Sequence, residues 1–241
     1  MDDPAVPEEE PRPRTGRPRA DGRPLEREPR EEIVAVASRL FAERGVAGTT
    51  MSEIARRSGL RQSSVYYYFR DKEAILGEIL GNVNRAILDQ LARINAQGGS
   101  PALRLYRLIR RDVLQLCAFP YDINEISRLS ALQEEGFASF WRERRALNHA
   151  VEEIVREGIA AAELLEVDPR LAALTLLAND EATQNWHRPV GALGQLEDEG
   201  YEPERIATFL ADLAVGGLLR DRSRLEAVRA DAFERDPPPP M

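Results

Sequence analysis

The sequence predicts an all-α chain in which a small three-helix module at the N-terminal end precedes a larger helical body. Three observations predict it. Apolar residues recur at helical spacing through most of the chain after residue 30, no stretch alternates apolar and polar residues as a half-buried strand does, and the breaks fall at Gly, Pro and Ser. With 241 residues, 43% of them hydrophobic, the chain has material for one large core or two modest ones.

The elements follow in chain order. Residues 1–30 hold seven prolines and no apolar periodicity, so they bury too little to offset the entropy of ordering and are predicted to be a disordered tail. Ile33, Val36, Ala37, Leu40 and Phe41 then share one helical face, and Gly45 ends the run as a C-cap. Thr50-Met51-Ser52-Glu53 has the capping-box pattern, in which the threonine accepts the Glu53 amide and the glutamate reaches back. A short second helix runs from there through Arg56 or Arg57. Gly59 and Leu60 form a tight turn before a third helix from about Arg61 to Tyr67, and three helices so joined make a helix-turn-helix. Beyond Asp71 the pattern becomes one of long amphipathic helices, starting with Leu76, Leu80, Val83, Ile87, Leu91 and Ile94 and stopping at Gly98-Gly99-Ser100-Pro101. Further helices are predicted at about 101–118, 122–134, 138–162, 168–187 and 203–232, with Pro237 to Pro240 as a loose end. The domain boundaries predicted are a tail at 1–30, a helix-turn-helix domain at 31–76, a helical body at 77–234 and a second tail at 235–241.

The net charge of −8 argues against a nucleic-acid protein until its distribution is considered. Residues 1–10 carry −5, residues 11–72 carry +6 and residues 73–241 carry −9. A local basic surface supplies attraction to a polyanion while the acidic remainder faces away. All basic residues but one are arginine, and the exception is Lys72. In the tail, Arg14-Thr15-Gly16-Arg17-Pro18-Arg19 is either a minor-groove arm, whose thin backbone lets arginine reach down a narrow groove, or a solvated linker.

The segment TTMSEIARRSGLRQSSVYYYFRDKEAIL, from Thr49 to Leu76, resembles the DNA-binding module of the TetR (tetracycline repressor) family of transcriptional regulators. The matching positions are Thr49 and Thr50, Ile54 and Ala55, Gly59 and Leu60, Tyr66 to Phe69, and Lys72, Glu73 and Leu76; the specific match covers about 31–80. The resemblance implies that Gln62, Ser63 and Ser64 face base edges, with Gln62 suited to a bidentate contact with adenine. It implies phosphate contacts from Tyr66, Tyr67, Lys72 and the Thr50 end of the second helix. Where the family has a small hydroxyl residue this chain has Arg61, which forgoes an N-cap and adds charge toward DNA. Val65 and Phe69 share a face and are expected in the core.

For the body, the resemblance implies dimerisation and a ligand-binding cavity. Leu171, Leu174, Leu177 and Ala178, with Ile206, Phe209, Leu210, Leu213 and Gly217, would form the stripes of a four-helix homodimer interface, or else an internal core. Tyr106, Arg110, Phe137, Phe140, Trp141 and His149 are the candidates to line an effector cavity, with Arg110 to receive an anionic group, or else ordinary packing residues. The expected partners are double-stranded operator DNA with a palindromic site, a second copy of the chain and a small-molecule effector, apolar by default from the lining composition; the expected role is a repressor released by that effector, with activation as the alternative sign. No run approaches the roughly 20 apolar residues that span a bilayer, so a cytoplasmic location and no membrane are expected. No cofactor or metal is expected, since Cys117 stands alone and His149 and His187 make no ligand cluster. An all-helical enzyme is the competing reading, disfavoured because no Glu-x-x-His pair or glycine-rich phosphate loop is present. A ligand-independent DNA-binding protein is another.

Overall fold

The computed structural model describes residues 28–119, 137–187 and 201–237. The helix expected at 122–134, the arm at 14–19 and the prolines from 238 onward lie outside them. Nine α-helices occur among the described residues: α1 Pro29–Arg44, α2 Met51–Ser58, α3 Gln62–Tyr68, α4 Lys72–Ala96, α5 Pro101–Ala118, α6 Ala138–Ala160, α7 Pro169–Ala182, α8 Pro203–Leu218 and α9 Leu225–Arg235. Two 3-10 turns, Thr183–Asn185 and Arg222–Arg224, follow α7 and precede α9. None of these helices is long and apolar enough to cross a membrane. The chain divides into two compact units, Met1–Ile75 and Leu76–Met241.

In the first unit Pro29 starts α1, a position where its missing N–H costs nothing, and Gly45 ends it with φ +73°. The face Ile33, Val36, Ala37, Leu40 and Phe41 is buried, together with Met51, Ile54 and Ala55 of α2 and with Val65 and Phe69. Thr50 caps α2 by accepting from the Glu53 amide, and Gly59 closes it in the left-handed region at φ +68°. Only half of the predicted capping box forms. The Glu53 carboxylate turns instead to Arg56 at 2.7 Å and Arg57 at 3.1 Å, because guanidinium donors compete better for an anion than one backbone amide does.

In the second unit α5 is the central helix. It is buried nearly all round and packs on α6, α7, α8 and α9. Its first turn is held by Ser100, which accepts from the Leu103 amide, and by Glu163, whose carboxylate accepts from the Ala102 amide at 3.1 Å. Glu163 belongs to the α6–α7 connection, where the Leu164 side chain fills the space a Cβ on Gly158 would need. The single helix predicted over 203–232 is interrupted. Leu219 pairs with Leu164 in an antiparallel bridge, with Leu165 donating to the Leu218 carbonyl at 2.8 Å and Arg220 to that of Glu163 at 3.0 Å. These tertiary hydrogen bonds replace the helical ones and let the chain turn into α9. The helix predicted over 168–187 likewise ends at Ala182, and Gln184 beyond it donates to the carbonyls of Leu116 and Phe119 at the end of α5.

Asp236, expected in a terminal tail, is buried. Its carboxylate accepts from Arg107 at 2.6 Å and from Arg111, while its carbonyl accepts from Arg110 at 3.0 Å. The two guanidiniums hold its carboxyl well below the usual carboxylate range against the opposing effect of burial.

Candidate nucleic-acid interface

The third helix is short, and its sequence divides it into two faces. Val65 is fully buried and Phe69, the C-cap, is nearly so, covered by the Arg30 guanidinium at 4.6 Å from its ring. The opposite face carries Arg61, Gln62 and Ser63, all exposed, with Ser64 half-buried beside them. Tyr66 is 49% exposed and Tyr67 82%, which is far more than an aromatic ring retains without a reason outside the core. Tyr67 meets Tyr68 edge-on at 5.1 Å, so one ring props the other outward. Arg61 caps α3 with backbone alone, its carbonyl accepting from Ser64 and Val65, and its side chain stays free of that task. Thr50 is exposed at the start of α2, where unpaired amides gather positive potential. Seven of the eight residues expected to touch DNA therefore lie on the outside of α2 and α3.

The eighth, Lys72, does something else. Its ammonium donates to the carbonyls of Val46 at 2.8 Å, Thr49 at 3.3 Å and Ala47 at 3.4 Å, bridging the start of α4 to the α1–α2 loop. Three donors meet three acceptors within the chain. A compact ammonium fits a cup of carbonyls where the flat fork of a guanidinium does not. That geometry accounts for a lysine at this one position in a chain otherwise furnished with arginine. Sequence reading also missed the charge network of Arg44, Arg56 and Arg57 about Glu53. The i, i+3 and i, i+4 spacing from Glu53 was its visible signal.

Of the six residues expected to line an effector cavity, Tyr106 and Arg110 stand one turn apart on α5 and Phe140 meets Trp141 at 5.0 Å on α6. Tyr106 is wholly buried and donates to Asp212 of α8 at 2.8 Å. Arg110, the proposed anion receptor, is already paired with Glu204 and the Asp236 carbonyl and stacks on Phe233 at 4.7 Å. Phe137 and Phe140 are buried, Trp141 is half-buried against Phe140, and His149 is exposed beside Glu153. Aromatic residues at helical spacing here serve the core. The stripes expected at a dimer interface also separate into two faces. Leu177, Ile206 and Leu210 are buried, whereas Leu171 at 64%, Leu174 at 46%, Phe209 at 65% and Leu213 at 56% are exposed. Ala178 and Gly217 lie on the exposed side. A shallow, mostly apolar groove of about 450 Å³ runs between α7 and α8 along this face.

Comparison with known proteins agrees with this architecture. The profile of "Bacterial regulatory proteins, tetR family" matches residues 33–79, and that of "Tetracyclin repressor-like, C-terminal domain" matches residues 98–218. The HTH-type transcriptional repressor KstR2 of Rhodococcus jostii is 42% identical over 62 residues, 26% of this chain and only 28% of that protein. KstR2 of Mycolicibacterium smegmatis is 25% identical over 201 residues, 80% of this chain and 92% of that protein. Among solved structures, a transcriptional regulator of the TetR/AcrR family from Thermobifida fusca superimposes with a TM-score of 0.60 at 27% identity, covering 78% of this chain and 97% of that one.

Proposed function

We propose that this chain, which belongs to the TetR family of bacterial regulatory proteins, works as a homodimer that holds a palindromic operator and releases it when a small molecule enters its second unit. As a member of that family it is a DNA-binding transcription regulator and not an enzyme.

One observation carries the reading: the outward face of α3, where Gln62, Ser63, Tyr66 and Tyr67 are exposed while Val65 and Phe69 are spent on the core. Gln62 and the serines suit base edges, Gln62 as the discriminating contact and the serines as groups that permit close approach. The tyrosine hydroxyls, the Arg61 guanidinium and the Thr50 end of α2 suit phosphates and set the register. A seven-residue helix reads too few base pairs alone, so two copies reading successive major grooves roughly 34 Å apart supply the affinity. The exposed Leu171, Leu174, Phe209 and Leu213 support α7 and α8 as the elements that pair across the two-fold axis. Repression as the default agrees with the relatives that are repressors, and the effector acts by favouring a dimer whose recognition helices are spaced wrongly for the operator.

The test is selection and sequencing of duplexes bound by the wild type, followed by fluorescence anisotropy on the enriched sequence with Gln62→Ala. The expected result is a palindrome, with Gln62→Ala relaxing preference at one position in each half-site by about 1–3 kcal/mol. Binding without enrichment of any sequence, unchanged by Gln62→Ala, would remove α3 as the reading element.

A further inference from the structure

Three helices of the second unit bring four charged side chains together away from water. Asp112 of α5 is 6% exposed and Asp180 of α7 is 1% exposed. Beside them Arg144 of α6 forms an ion pair with Glu181 of α7 at 2.6 Å. Among the described residues one guanidinium faces three carboxylates here, and it is already engaged by Glu181. Neither carboxylate oxygen of Asp180 has a hydrogen-bond partner. A buried carboxylate in that condition destabilises the fold unless it is neutralised. Burial accordingly pushes Asp180 far above the usual carboxylate range, with Asp112 adding to the shift, and raises Asp112 to about 7.

A second observation is independent of the acids. Thr183 lies three residues beyond Asp180 on the same helical face, is 1% exposed, and its hydroxyl is also without a partner. On α6, Asn148 stands one turn past Arg144; its amide donates to the Arg144 carbonyl at 3.0 Å, but its buried side-chain oxygen meets no donor. Asn148 also lines a groove of about 400 Å³ between α6 and α7. These groups share one requirement, since Asp180, Thr183 and Asn148 all offer lone pairs that no donor among the described residues meets. Native interiors leave few such atoms unpaired, and several together mark a position where something outside the chain completes the pairing.

We infer that the effector is an organic cation with several N–H donors, such as a primary amine or an amidine on a compact apolar body, received between α5, α6 and α7 by Asp180 and Asp112. The inference rests on the effector-released regulator proposed above and names the chemistry of that effector. An ammonium or amidinium supplies both the missing charge and the missing donors, and Leu176 and Leu177, on the same helix as Asp180, belong to the apolar core. Among the described residues no three His, Cys, Asp or Glu side chains, these acids included, are placed to hold a metal ion.

The experiment uses the full chain with phenethylamine, benzamidine and spermidine at constant ionic strength, and 2-phenylethanol as the uncharged match for phenethylamine. Binding is followed by calorimetry and thermal unfolding in wild type, Asp180→Asn and Asp112→Asn. The expected result is that at least one amine binds and raises the melting temperature, while the alcohol does neither. Asp180→Asn should weaken that amine by about 10-fold or more, with an unliganded melting temperature equal to or above that of the wild type, since a neutral amide removes the buried charge. Asp112→Asn should act in the same direction. The site is refuted if none of the three amines binds, if the alcohol matches the amine, or if both variants bind as the wild type does. Operator anisotropy separates the two readings. An amine that binds through Asp180 and leaves operator affinity unchanged keeps the site and refutes its role as effector site. Release of the operator by an amine in both variants refutes the site and keeps the effector.

Discussion

Lys72 separates a structural role from a DNA-binding one by experiment. In Lys72→Met the chain loses one short charge-assisted hydrogen bond, to Val46 at 2.8 Å, and two long ones to Thr49 and Ala47 at 3.3 and 3.4 Å. Charged hydrogen bonds are worth roughly 1.5–3 kcal/mol each, but the two long contacts are weak and the site is half-exposed, so the loss should be about 2 kcal/mol. In a chain of this size that lowers the melting temperature by about 4–8 °C. Lys72→Arg should recover little, because its donors lie in one plane while the three carbonyls converge on a point. The paired assay is operator affinity against salt. If Lys72 only braces the α1–α2 loop, the variant binds more weakly with an unchanged slope of log K on log salt. An unchanged melting temperature with a slope reduced by about 0.9, the signature of one lost phosphate contact, would refute the bracing role.

Two other perturbations address the second unit. Replacing Phe209 with Arg and Leu213 with Glu places charges on the exposed apolar face, and sedimentation should show the wild type as two chains and the variant as one with unchanged helicity; a variant that still sediments as two chains would place the interface elsewhere. Asp236→Asn leaves Arg107 buried without its counter-ion and should cost about 3 kcal/mol, read as a lower denaturation midpoint. Because the folded carboxyl of Asp236 is depressed, its contribution is present in full above the unfolded value near 4 and is lost as the pH falls below it. Thermal scans from pH 7 to 3 should therefore narrow the difference between wild type and Asp236→Asn only at the acid end and not close it, since the folded carboxyl titrates far below the unfolded one.

The helix-turn-helix was legible because its cues are local. Thr50, Gly59 and the buried Val65–Phe69 pair are set by neighbours within a few residues, and local rules of capping and periodicity place them. The break at Leu219 was not legible, since it depends on backbone pairing with Leu164, more than fifty residues earlier, and the apolar period runs on through it. The place of Lys72 was clear from the pattern, but its task was not, because the carbonyl cup exists only after folding. The same holds for Asp112, Arg144 and Asp180, which lie on three separate helices and show no spacing that links them. The partners of Tyr106 and Arg110, Asp212 and Glu204, were out of sight for a related reason: an aromatic and an arginine on a buried helix look alike on the page whichever residues they meet.

The Arg107–Asp236 pair carries a consequence for synthesis. Its members stand 129 residues apart, so at ordinary elongation rates of about 5–20 residues per second the guanidinium waits roughly 6–26 seconds for its counter-ion. The first unit closes on contacts made early and within itself, whereas α5 stays incompletely neutralised until the final turn emerges. A product cut short before Asp236 keeps its DNA-reading helices and lacks the anion that settles the body.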